Sequence, residues 1–123
     1  MTAAPIGIFD SGVGGLSVVR AIQRILPEHP LIYLADQAHV PYGPRPLEEV
    51  RQFSESITRY LLGQGARLIV VACNTASAAA LHALRATFPD IPFVGMEPAV
   101  KPAAEQTVTG VVGVLATPAT FQG

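Results

Sequence analysis

The sequence predicts an α/β fold in which a parallel sheet is flanked by helices. Short apolar runs alternate with segments of helical period, which is the signature of repeated strand–helix–strand units. The apolar runs are hydrophobic at consecutive positions, as strands buried on both faces must be. The small, polar and reactive residues fall immediately after those runs, where a parallel sheet would gather them on one edge.

Taken in order, Ile6–Phe9, Leu31–Ala35, Leu68–Ala72, Phe93–Gly95 and Val111–Leu115 read as strands. Leu16, Val19, Ile22 and Leu26 form the first helical stripe, ended by Pro27. Leu47, Val50, Phe53, Ile57 and Leu61 form the second, which stops near Gly63 and Gly65. Leu81, Leu84 and Phe88 form the third, stopped by Pro89, and residues 98–106 predict a short fourth helix after Pro98. Right-handed crossovers then place helices on both faces of the sheet.

Composition narrows the function classes. Half the 123 residues are hydrophobic and 14% are charged, which excludes intrinsic disorder. The net charge of −1 offers no electrostatic footprint for nucleic acid. No run reaches the roughly 18 apolar residues of a membrane span, and no basic segment followed by an apolar stretch marks a signal peptide. A single cysteine excludes an intrachain disulfide framework and a cysteine-cluster metal site. The expectation is a cytoplasmic protein with neither nucleic-acid nor membrane partner.

The rim of the sheet carries the chemistry. Asp10-Ser11-Gly12-Val13-Gly14-Gly15 is a glycine-rich strand-to-helix turn, suited to an anion approaching backbone N–H groups. It departs from the dinucleotide fingerprint, because Ser17 stands where the third glycine belongs, and no Gly-Lys-Ser/Thr follows as in a P-loop. Its plain alternative is a tight turn in which Asp10 or Ser11 caps the first helix. Pro41-Tyr42-Gly43-Pro44-Arg45-Pro46 is a stiff loop, either a simple turn or a preorganised rim offering N–H groups to a carboxylate.

Cys73 closes the third strand and opens the third helix, with Asn74 or Thr75 as the expected cap. A free cysteine is often an inert buried hydrophobe. Here the positive end of a helix favours the thiolate, so nucleophile and proton carrier are both open roles. The tyrosine-phosphatase pattern is closed, since Ala79 occupies the place of its arginine. His29, His39 and His82 read as surface or loop residues. Glu97 follows the fourth strand and Thr117 the last.

Four blocks, Ile-Phe-Asp10-Ser11-Gly-Val-Gly-Gly, Pro41-Tyr42-Gly43, Ala-Cys73-Asn74-Thr75-Ala and Gly95-Met-Glu97-Pro98, occur in an order that resembles the glutamate racemases. These belong to the cofactor-independent aspartate/glutamate racemases. The resemblance implies interconversion of L- and D-glutamate by two-base proton transfer between cysteines, without pyridoxal phosphate or metal, supplying D-glutamate for peptidoglycan. It makes Cys73 one catalytic base and gives Asp10 a part in handling the ammonium group or tuning Cys73. It assigns Asp10, Ser11, Tyr42, Gly43, Asn74 and Thr75 to the substrate, with Pro41, Thr117 and Glu97 as weaker candidates. It is compatible with a homo-oligomer.

Ile6-Gly7-Ile8-Phe9-Asp10-Ser11 also aligns with Val112-Gly113-Val114-Leu115-Ala116-Thr117, with glycine on glycine and hydroxyl on hydroxyl. Carried over by the same offset, the counterpart of Cys73 falls beyond Gly123. The expectation is therefore the amino-terminal part of a two-domain racemase, with the second of two similar domains truncated. Residues 1–97 are the first domain without its C-terminal return, and residues 98–123 are a linker and the first strand of the second. Such a chain is expected to be inactive alone. The alternatives are an aspartate or other two-cysteine racemase or decarboxylase, a non-catalytic half-site binding module, and a flavodoxin-like fold with an incidental cysteine.

Overall fold

The computed structural model describes residues 3–123. Its elements are β1 (Ile6–Asp10), α1 (Leu16–Ile25), β2 (Leu31–Ala35), α2 (Leu47–Gly63), β3 (Leu68–Val71), α3 (Asn74–Thr87), β4 (Phe93–Val94), α4 (Val100–Gln106) and α5 (Pro118–Gln122). The four strands form one parallel sheet in the order β2-β1-β3-β4. Strand order reverses direction between β1 and β3, and the crevice above such a switch point is where open α/β sheets bind ligands.

The sheet's two faces are built from alternating residues. Ile6, Ile8, Val70 and Ala72 face α1, where Val18, Val19 and Ile22 pack on them. Phe9, Ile69, Val71 and Phe93 face α2 and α3, where Val50, Ile57, Leu61, Ala76 and Leu84 complete the larger core. Gly7 allows α2 to come this close, since a Cβ there would lie 3.2 Å from Leu61 Cβ. Ser54 and Thr58 sit on the buried stripe of α2 despite their hydroxyls. Each donates to the carbonyl four residues back, Val50 and Ser54, at 2.8 Å.

The helix boundaries follow the expected signals. The backbone turns out of α1 at Leu26, before Pro27, and α2 starts after Pro46 with Glu48 and Glu49 in its first turn. Gly65, with φ of +99°, takes the chain out of α2. The short fourth helix lies within the span expected after Pro98.

Three expectations need correction. Val111–Leu115 is not a strand: Val111 and Leu115 are exposed, and the segment joins no sheet. Its β-branched residues favour an extended chain, but a strand exists only with a hydrogen-bonded neighbour, and none lies alongside. Gly95 stands outside β4 because its place is fixed from the side, by Leu81 and Ser77, rather than by a ladder. The cap of α3 is Cys73 itself, not Asn74 or Thr75.

Candidate active site

The carboxyl ends of β1 and β3 lie side by side, so Asp10 and Cys73 arrive on one rim from distant parts of the chain. Asp10 is buried, and both oxygens of its carboxylate accept from backbone N–H groups: Oδ1 from Ser11 at 2.7 Å, Oδ2 from Gly15 at 2.6 Å. Gly15, not Asp10 or Ser11, is the residue that caps α1, but the Asp10 carboxylate reaches across the turn to it. Only glycine fits there, because a Cβ would meet Asp10 Cβ at 2.9 Å and the Tyr33 ring at 3.0 Å. Tyr33 also donates its hydroxyl to the Gly12 carbonyl at 3.3 Å, which braces the turn from β2. Its phenol is raised above the usual value, first by burial and then by the Asp10 charge.

Cys73 is extended (φ −148°, ψ 122°), which turns its side chain back over the start of α3. Its sulfur accepts from the Ala76 N–H at 3.3 Å. The thiol faces Ser11, with Sγ 3.6 Å from the hydroxyl oxygen. A sulfur that accepts from a helix's first turn and sits beside a hydroxyl can take up a proton or release one.

Asp10, Cys73, Asn74 and Thr75 line a cleft of about 420 Å³ with Met96, Thr117 and Thr120. Its volume suits a small polar molecule. Thr75 is held by hydroxyl contacts to Thr117 at 2.7 Å and Thr120 at 3.2 Å. Thr117 caps α5 by accepting from the Thr120 N–H at 3.3 Å. Gly43 packs directly on Thr117, and its carbonyl accepts from the Ala119 N–H at 3.3 Å.

The other expected residues are placed differently. Tyr42 is buried and lines no part of this cleft; its hydroxyl donates to Asp36 Oδ2 at 2.5 Å. Burial, and then that carboxylate, push the Tyr42 phenol far above its ordinary range. Pro41 is exposed, its carbonyl accepting from Arg45 Nε at 3.2 Å. Glu97 is exposed and lines a second, adjoining cleft of about 510 Å³ that shares Asn74, Met96 and Thr120 with the first. Among the described residues no three His, Cys, Asp or Glu side chains come together to hold a metal ion, and no helix is long and apolar enough to cross a membrane.

Sequence reasoning passed over two residues, Thr120 and Ser77. Asp36 is placed by the sequence on the rim after β2, but its partners Tyr42 and His39 emerge only from the loop's path. Thr120 and α5 had a readable signal: Thr117-Pro118 pairs a capping hydroxyl with proline at the first helical position. Ser77 ties the chain after β4 to α3, accepting from the Met96 N–H at 2.9 Å.

Residues 7–123 match the sequence model of the family described as Asp/Glu/Hydantoin racemase. The glutamate racemase of Roseiflexus sp. (strain RS-1) is 60% identical over 122 residues, covering 99% of this chain and 45% of the relative. That of Ectopseudomonas mendocina (strain ymp) is 58% identical over 119 residues, 97% of this chain and 45% of its own length. The crystal structure of Escherichia coli glutamate racemase in complex with L-glutamate and the activator UDP-MurNAc-ala superposes with a TM-score of 0.87 at 43% identity. It covers 98% of this chain and 46% of that one. Glutamate racemase from Thermus thermophilus, bound to β-chloro-D-alanine, gives a TM-score of 0.83 at 48% identity, over 97% and 45% of the two chains. This chain therefore spans a little under half the length of the relatives it matches. The match across nearly the whole sequence, on the fold that sets Asp10 beside Cys73, places the chain in the Asp/Glu/hydantoin racemase family.

Proposed function

We propose that this chain is the amino-terminal part of a glutamate racemase, and that residues 1–97 form its first domain while residues 98–123 lead into the second. The observation that carries the reading is the Cys73 thiol on the rim between Asp10 and Thr75, facing a cleft of small-molecule size. Cys73 as thiolate takes the α-proton from one face of glutamate: the S–H bond forms, the Cα–H bond breaks, and the electron pair passes into the substrate carboxylate. A second base on the opposite face returns a proton to Cα, inverting the centre. The racemase resemblance makes that second base another cysteine, and these 123 residues contain Cys73 alone.

The surrounding groups suit the work. Asp10 offers negative charge to the substrate ammonium, and Ser11, Asn74 and Thr75 offer donors to its carboxylates. Gly43 contributes from the loop above Thr117. Proton transfer by positioned side chains needs no cofactor. The setting is the cytoplasm, where reduced thiols persist, and the product is D-glutamate for peptidoglycan.

The test is α-proton exchange in heavy water, followed by NMR on L- and D-glutamate and on both aspartates. Exchange of one glutamate enantiomer by this chain, lost in Cys73→Ala, supports the reading. Exchange of aspartate alone would move the substrate assignment, and glutamate binding with no exchange would favour a non-catalytic half-site.

A further inference from the structure

The buried carboxylate of Asp36 is used by none of the chemistry above, yet it is the most heavily engaged acid outside Asp10. Its side chain receives the Tyr42 hydroxyl at 2.5 Å and the His39 Nδ1 at 2.9 Å, and its backbone N–H donates to the Asp10 carbonyl at 2.9 Å. One residue thus joins the end of β1, which carries Asp10, to the Pro41-Tyr42-Gly43 loop, which packs on Thr117 and through it on Thr75.

We propose that Asp36 is a positioning residue for the cleft, holding Gly43 against Thr117 by fixing the Tyr42 phenol and His39 on either side of the loop's turn.

Two further observations support this. The loop holds no helix or strand between β2 and α2, and its few backbone bonds, such as His39 N–H to the Asp36 carbonyl and Arg45 N–H to the Tyr42 carbonyl, leave much of its path to side chains. Asp36 supplies a charge-assisted acceptor for two of them, and such bonds are about twice as strong as neutral ones. The far side of the loop is clamped as well. The His39 ring stacks on Phe53 with centroids 4.0 Å apart, and Arg45 lies over the same ring while donating from Nε to the His39 carbonyl at 2.9 Å. Phe53 gives the loop a floor, and Asp36 fixes where on that floor Tyr42 and Gly43 sit.

The inference rests on the racemase reading for its consequence, but not for its geometry. The geometry is tested by ¹H–¹⁵N NMR of the chain with Asp36→Asn and Tyr42→Phe, singly and together. Asp36→Asn keeps the shape and removes the charge; Tyr42→Phe removes the phenol and leaves Asp36 in place, so it serves if the first variant fails to fold. Both single variants should move the amides of Gly43, Thr117 and Thr75, and the double variant should add little to either. Shifts confined to the substituted residues would overturn the proposal.

The consequence is read in the full-length protein that carries this chain. Asp36→Asn should raise KM for glutamate by roughly tenfold or more, the worth of one hydrogen bond to a charged group, with kcat changed much less. Unchanged KM with moved amides would overturn the functional half alone. Absence of turnover in the wild-type full-length protein would instead defeat the racemase reading and leave the NMR result standing.

Discussion

Cys73 and Ser11, 62 residues apart in sequence, meet with sulfur and hydroxyl oxygen 3.6 Å apart. The pairing follows from topology, since β1 and β3 are neighbours in register and their next residues must converge. Ser11 thereby marks the position of the thiol, while the Ala76 N–H holds the sulfur from the helix side. Cys73 caps α3, and the proposed chemistry gives it a second, separable job as a proton carrier.

Cys73→Ser separates them. Serine is a strong capping residue, so the variant should keep the helix start and lose no more than about 1 kcal/mol of stability. A neutral hydroxyl is a far weaker base than a thiolate, so α-proton exchange should fall by roughly 10²–10⁴. Cys73→Ala should lose the exchange and the cap together. Urea unfolding alongside the exchange assay checks both, and a serine variant that exchanged at the wild-type rate would remove Cys73 from the chemistry.

Tyr42 supplies a pH dependence of stability. Its phenol is raised in the folded protein by burial and by Asp36, so the folded state holds that proton more tightly than the unfolded chain. The stabilisation is complete below about pH 10, the ordinary tyrosine value, and is lost as pH climbs above it toward the folded-state value. The slope approaches about 1.4 kcal/mol per pH unit for one group. Unfolding curves at pH 8 and pH 11 should show a steep loss, and Tyr42→Phe should flatten it. Tyr33, raised for similar reasons, leaves a smaller residue of the effect. Equal slopes in wild type and Tyr42→Phe would refute the assignment.

Much of this arrangement was legible in the residues. Strands buried on two faces, such as Ile6–Asp10 and Leu68–Val71, announce themselves by continuous apolar runs, and the residues after them are placed by parallel topology alone. That is why Asp10, Ser11, Cys73 and Thr75 could be placed on one rim. Tyr42 lies in the proline-rich loop before α2, but its side chain turns inward to Asp36, a choice made by three-dimensional partners rather than by local pattern. Val111–Leu115 shows the opposite limit. Its composition satisfies the strand pattern, but pairing is a property of neighbours, and β propensity without a ladder leaves extended, exposed chain.

That segment carries its own prediction. Among the described residues, no backbone–backbone hydrogen bond involves residues 111–116, and Val108, Val111 and Leu115 are exposed. Hydrogen exchange of these amides should run near the unstructured rate, while Ile8, Phe9 and Val70 in the sheet stay protected. Strong protection of Val112–Ala116 in a monomer would show that the segment pairs after all. Protection that rises with protein concentration would show association through it.

The closest packing at the site gives the sharpest structural test. A Cβ on Gly43 would lie 2.7 Å from Thr117 Cγ2 and 2.8 Å from Thr117 Cβ. Neither atom can move freely, because Thr117 caps α5 and its hydroxyl bonds Thr75. Gly43→Ala must therefore push α5 away from the start of α3 or lift the loop that Asp36 and Tyr42 hold. Either movement breaks the short contact between Gly43 and Thr117 and weakens the Ala119 N–H bond to the Gly43 carbonyl. Overpacking of this kind costs about 1–3 kcal/mol. Because α5 is a helix of only five residues, the loss should be local. Exchange at Ala119 and Phe121 should quicken while β1 and β3 keep their protection, and glutamate affinity should fall with Thr75 no longer held. An alanine variant with unchanged exchange at Ala119 would mean that α5 does not rest on the loop, and that Thr75 is set by α3 alone.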